Sequence, residues 1–157
     1  MSTQSVDGAA ARGLALARVG IGAMFVWVFF ENYGKGLYTP GGYADLIRWY
    51  AENDTAPAVW KSVMGLAAAN ARIAAPMQGA AELSFGVLLC LGLLTRPVAL
   101  AAGAFLTSLW VSEWGTAWIW ELLVPSWTAF ALAVGGAGRT WGLDARLARK
   151  RPDSLLW

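Results

Sequence analysis

Glu82 is an ionisable residue inside a mostly apolar run from Ala75 to Leu94, which is about the length a helix needs to cross bilayer hydrocarbon. Gly79, Glu82, Gly86 and Cys90 recur at helical spacing on one side of that run. The carboxyl is therefore expected along a stripe of small residues where a neighbouring backbone can come close. A carboxyl facing lipid is costly, so Glu82 is expected to face protein or trapped water and to take the catalytic role of accepting a proton or contacting a polar ligand. The alternative is a structural carboxyl hydrogen-bonding across helices.

Three more acids, Glu31, Glu113 and Glu121, fall in the same half of the membrane when the apolar runs are laid across it at about 1.5 Å per residue. Glu82 lies roughly 10 Å below that boundary and the others nearer to it. Pro125 comes to about the depth of Glu82 and cannot donate to the Glu121 carbonyl, which leaves a free acceptor in an apolar layer. The resulting notch suits a proton or a quinone headgroup, with Glu82, Glu121 and Trp118 as the expected cofactor contacts. Lys35, Arg48, Lys61 and Arg72 lie on the same side. An anionic substrate needs charge-assisted donors, and these are the ones available, although surface cations are more often simply solvated. Arg72, just before the Glu82 run, is favoured by its position.

These residues need a membrane scaffold to place them. Apolar residues make up 57% of the 157 and charged residues 14%, and the apolar ones come in long blocks rather than alternating patterns, which argues against a soluble globule. The expected fold is all-α, an integral membrane four-helix bundle with helices at about 14–33, 75–94, 97–114 and 118–137. Residues 1–13 form a polar tail, unlike a cleavable leader because a full-length apolar run follows Arg12 with no evident cleavage site. Residues 139–157 form a basic one.

The first extramembrane loop, 36–74, is expected to hold two short amphipathic helices. Tyr43, Leu46, Ile47 and Tyr50 recur at i, i+3, i+4 and i+7 in the first. The second begins near Pro57, capped by Asp54 or Thr55, with Val59 or Trp60, Val63, Met64 and Ala67 as its apolar side. Thr95-Arg96-Pro97 reads as the turn between the second and third spans, and Ala99, Gly103 and Thr107 as a row for close packing. Arg18, one turn inside the first span, is expected either to snorkel to headgroups or to anchor an acid or an anionic lipid.

With the N-terminus inside, Arg12, Arg18, Arg96, Arg139, Arg146, Arg149, Lys150 and Arg151, eight of the twelve lysines and arginines, fall on the cytoplasmic side. Both termini are accordingly expected in the cytoplasm, with the protein multi-pass in the plasma or inner membrane. Trp110, Trp114 and Trp120 near the outer turn, and Trp157 at the other end, are expected at a lipid or partner interface.

The chain has no histidine and one cysteine. That excludes histidine-ligated haem, cysteine-ligated clusters, intrachain disulfides and the usual zinc sites, so no metal is expected. The formal charge of +2 gives no reason to expect nucleic acid. Any redox group is therefore a diffusible quinone or belongs to a partner.

Glu82-Leu83, Gly86, Leu88-Leu89, Leu91-Gly92 and Thr95-Arg96 resemble the second transmembrane helix of DoxX and DoxD-like membrane proteins, and Arg18, Gly22 and Lys35 resemble that family's first-helix pattern. The resemblance spans most of residues 14–138. It implies a four-helix membrane protein and, through the DoxD-like branch, a small subunit of thiosulfate:quinone oxidoreductase. Lys35 and Arg72 would then hold the substrate anion, Lys35 because it matches the family pattern. The competing expectation is a non-catalytic accessory subunit that packs against a larger energy-transducing membrane complex. Both imply the lipid bilayer and other membrane subunits as partners.

Overall fold

The computed structural model describes residues 3–156, with side chains from Gly8 onward; Trp157, expected at an interface, lies outside the described residues. Every regular element among them is helical: α1 Thr3–Gly34, α2 Pro40–Asn53, α3 Ala58–Ala69, α4 Ala71–Leu91, α5 Thr95–Ser112, α6 Ile119–Gly135 and α7 Asp144–Lys150, with a 3-10 turn at Ala137–Arg139. Gly8–Gly34 of α1 and the whole of α4 are long and apolar enough to cross a membrane.

α1 packs on α4 and α5 on α6, while contacts of α1 with α6 and of α4 with α5 complete the group. Phe25, Leu89, Ala99, Ala102, Leu106 and Leu132 meet in the shared core, where the Phe25 and Phe85 rings lie edge to face at 5.5 Å. The outer surfaces of the same helices are apolar too, with Trp27, Met77, Leu100, Trp127 and Val134 all more than half exposed. Helices apolar on both their inner and outer faces need an apolar solvent around them.

The small-residue stripe on α4 seats α1. A Cβ on Gly86 would come within 2.7 Å of Val26 Cγ2 and 3.0 Å of the Gly22 carbonyl, and one on Gly22 would meet Cys90 Sγ at 2.7 Å. Only glycine lets the two backbones approach this closely. On α1 the close approach falls at Gly22 and not at Gly20, where a Cβ would meet nothing within 4 Å. On α5, Gly103 admits the Phe130 ring, and Thr107 and Ser126 share a hydrogen bond of 2.7 Å.

Several boundaries differ from the sequence reading. α1 begins at Thr3 rather than Leu14, and α4 at Ala71, passing through Pro76. The expected turn at Thr95-Arg96-Pro97 is instead the first turn of α5, where the N–H that proline lacks has no helical partner to lose. The reversal lies just before it, with Gly92 at φ +62° and Leu94 at φ +51°. Neither Asp54 nor Thr55 caps α3. Pro57 occupies that position without a side-chain cap, and the Thr55 N–H and hydroxyl both donate to the Trp114 carbonyl, at 2.8 and 2.9 Å. Thr55 thus donates to a carbonyl distant in sequence instead of accepting at the start of α3.

The basic segment after Arg139 folds back on the helices. Asp144, fully buried, accepts from the backbone N–H groups of Leu94 and Thr95 at 2.8 Å each and so caps α5. Leu143 and Asp144 donate their own N–H groups to Leu91 and Gly92 carbonyls.

Candidate functional site

Glu82 is 2% exposed and is met by three donors. Gln78, one turn earlier on α4, donates to Oε1 at 3.0 Å. Asn32, near the end of α1, donates to Oε2 at 3.2 Å, and the Tyr38 hydroxyl donates to the same oxygen at 2.5 Å. All three donors are neutral. A carboxylate group offers about four acceptor positions, so these three donors fill most of them and leave about one for a further donor.

Local structure explains how Tyr38 arrives. α1 ends at Gly34, and Gly36 at φ +71° reverses the chain. The Thr39 hydroxyl then accepts from Gly42 N and starts α2. Between these points the Tyr38 ring stacks on Phe29 at 5.3 Å and lies over Gly79, where a Cβ would come 3.0 Å from its Cγ. Burial, and then the hydrogen bond to Glu82, push the Tyr38 phenol above its usual pKa, so it remains a donor.

A cavity of about 640 Å³ opens beside the acid. The Tyr43, Leu46, Ile47 and Tyr50 stripe of α2 lines it from one side, and Phe25, Phe105, Leu106 and Leu109 line it from α1 and α5. α2 and α3 together form an arm over this end of the molecule. It is fixed by Thr55 on Trp114, by the Trp60 indole donating to Ser112 Oγ at 2.8 Å, and by Lys61 donating to the Ala51 carbonyl at 2.7 Å. The side of α3 that turns inward carries Trp60 and Met64, while Val59 and Val63 are exposed.

Tyr50 and Glu113 mark a second polar point on the cavity wall, each close enough to affect the other's proton affinity. Burial raises the Glu113 pKa, against the lowering effect of the Tyr50 hydroxyl, and burial with the neighbouring Glu113 raises that of Tyr50.

Glu82, Glu121 and Lys35 are thus brought to one cavity, with Lys35 paired to Glu31 at 2.5 Å and both about half exposed. Arg72 is exposed in the first turn of α4 and Trp118 is 65% exposed, and neither lines the cavity. Trp118 stacks near Trp120 at 5.2 Å, and Trp110 near Trp114 at 4.6 Å. Pro125 is buried within α6 and is not on the cavity wall.

Arg18 does not snorkel. It is fully buried and donates to the carbonyls of Ala137, Thr140 and Trp141 at 3.2, 3.4 and 3.2 Å, holding the chain where it leaves α6. Glycines at 92 and 142 make room for its guanidinium.

Sequence reasoning missed Asn32, Gln78, Tyr38 and Asp144. Gln78 had a signal, since it is polar and four residues from Glu82. Tyr38 had none, because it reaches the acid only through the reversal at Gly36.

The sequence model of the DoxX family matches residues 13–113. The chain belongs to the DoxX family. The match includes α2 to α5, most of α1, and every residue that touches Glu82. It makes this DoxX-family chain a membrane protein, in agreement with the apolar outer surfaces of its helices. No curated protein and no solved structure matches the chain.

Proposed function

We propose that this DoxX-family protein is a membrane subunit of a quinone-linked oxidoreductase, in which the cavity beneath α2 receives a quinone headgroup and Glu82 exchanges its proton. The supporting observation is the buried Glu82, met by neutral donors, on a mixed wall of aliphatic, aromatic and hydroxyl groups. The cavity volume lies within the range of ordinary small-molecule sites. A bound quinone supplies an acceptor of two electrons and two protons.

In this reading the apolar side chains of α1, α2 and α5 hold the ring, and the hydroxyls of Tyr38 and Tyr50 and the amides of Asn32 and Gln78 are the donors for its oxygens. Glu82 transfers a proton at a carboxylate oxygen. Glu113 and Glu121 connect the cavity to bulk water. The reading takes α1, α4, α5 and α6 as four spans. α5, with 18 residues, and α6, with 17, cover about 26 Å each. Both termini lie on the basic, cytoplasmic side of the plasma membrane, and the α2–α3 arm lies outside.

The electrons come from a partner or a soluble donor. Thiosulfate is the donor that the family resemblance suggests, with Lys35 and Arg72 as the cations for it. Lys35 must then exchange Glu31 for the anion.

Glu82→Gln, prepared with the natural partners, tests the reading. Lost quinone reduction with normal assembly and retained quinone binding supports it, and unchanged turnover overturns it. Absence of thiosulfate-dependent quinone reduction in the wild-type preparation removes that donor alone. The exposed aromatic surface of Trp118, Trp120 and Trp127 favours a second reading, a non-catalytic subunit that stabilises a larger complex. Weakened assembly with unchanged turnover in Glu82→Gln would select it.

A further inference from the structure

A second cavity, of about 500 Å³, lies at the opposite end of the molecule from Glu82, between the end of α4 and α7. Its wall combines two kinds of group. Leu91, Trp141 and Leu143 are apolar and 48%, 64% and 36% exposed, while Arg146 and Arg149 bring two guanidiniums to the same space. Arg149 turns its Nε to the Ala145 carbonyl at 3.3 Å. Neither arginine has a carboxylate within ion-pair distance among the described residues.

This wall is held rigidly. Trp141 has φ +55°, a conformation that side-chain-bearing residues seldom adopt without being forced. The buried Arg18 donates to its carbonyl, and the hydrogen bonds of Leu143 and Asp144 to the α4–α5 turn fix the residues that follow. The interior of the protein is thus arranged to project an indole outward beside two cations, on the flank of a helix long enough to cross a membrane.

We propose that this groove seats one anionic phospholipid. Arg146 and Arg149 take the phosphate and the charged headgroup, the Trp141 ring lies at the glycerol level where indoles settle in bilayers, and an acyl chain runs along Leu91 toward the exposed Val87 one turn deeper on α4. Charge complementarity selects the occupant. Cations beside a membrane favour anionic over zwitterionic lipid, and the apolar Leu91, Trp141 and Leu143 that share the cavity with the two arginines give no advantage to a free anion. The inference does not depend on the quinone reading.

The test is native mass spectrometry of the full chain in detergent, offered equal amounts of phosphatidylglycerol and phosphatidylcholine. Wild type should retain phosphatidylglycerol on the order of tenfold over phosphatidylcholine. The Arg146→Gln/Arg149→Gln double variant should fall to parity, and Lys150→Gln, which changes a charge off the cavity, should keep the preference. Brominated phosphatidylglycerol should also quench wild-type tryptophan fluorescence more than that of Trp141→Phe. Equal retention of the two lipids by wild type, loss of preference in Lys150→Gln, or quenching unchanged in Trp141→Phe would overturn the proposal. Displacement of phosphatidylglycerol by millimolar inorganic phosphate would overturn it in favour of a soluble-anion site.

Discussion

The Tyr38 hydroxyl meets Glu82 Oε2 at 2.5 Å while its ring lies on Gly79, less than one turn before the acid on the same helix. The loop after α1 therefore completes a site that otherwise belongs to the helices. The missing side chain at residue 79 is what lets the ring come down far enough to donate.

Tyr38→Phe keeps the ring on Phe29 and removes the hydroxyl. It should destabilise the protein by about 1–3 kcal/mol, the cost of leaving one acceptor position of the buried Glu82 without its donor, read as a lower unfolding temperature in detergent. Gly79→Ala should displace the ring while leaving its hydroxyl, and should weaken ligand affinity at the Glu82 cavity more than it weakens the fold.

The Glu113–Tyr50 pair gives a pH dependence of definite sign. Each group holds its proton more firmly folded than unfolded. The stability they contribute is thus complete below the unfolded pKa and is lost as pH rises through the folded one. For Glu113 the loss begins near the ordinary value of 4.5 and for Tyr50 near 10.0. Unfolding temperature against pH should fall over both windows. Glu113→Gln should flatten the acidic fall and Tyr50→Phe the alkaline one.

The α1–α4 seam predicts a contrast between two glycines of similar sequence context. Gly86→Val places atoms against Val26 and the Gly22 carbonyl and should cost at least the roughly 1–3 kcal/mol of an overpacked core. Gly20→Val meets open space and should leave the unfolding temperature near wild type.

Asp144→Ala removes the acceptor shared by Leu94 and Thr95. The buried Thr95 N–H and the part-buried Leu94 N–H lose their partner, at a cost of about 2–4 kcal/mol, measurable as loss of folded protein in a thermal or denaturant titration. Asp144→Asn keeps one acceptor oxygen and should recover part of the loss.

The membrane character, the helical class and the inward direction of Glu82 were legible because each depends on composition or on a period of 3.6 residues. Tyr43, Leu46, Ile47 and Tyr50 were legible as an apolar stripe for the same reason, though nothing local said which cavity they would face. Arg18 and Asp144 were not. Their partners lie more than 100 and about 50 positions away in sequence, and their neighbourhoods read as a helix end near headgroups and a solvated tail. Pro97 reads in sequence as a break, but the third position of a helix tolerates proline, and the α4–α5 reversal lies before it at Gly92 and Leu94.

Thr55 and Trp60 join the α2–α3 arm to Trp114 and Ser112, on either side of Glu113. An arm that swings aside to admit a molecule must pull on that junction and shift the carboxyl it carries. Entry of a guest and the proton affinity of the doorway are then mechanically linked, so a change in acidity outside would be felt as a change in how readily the door opens.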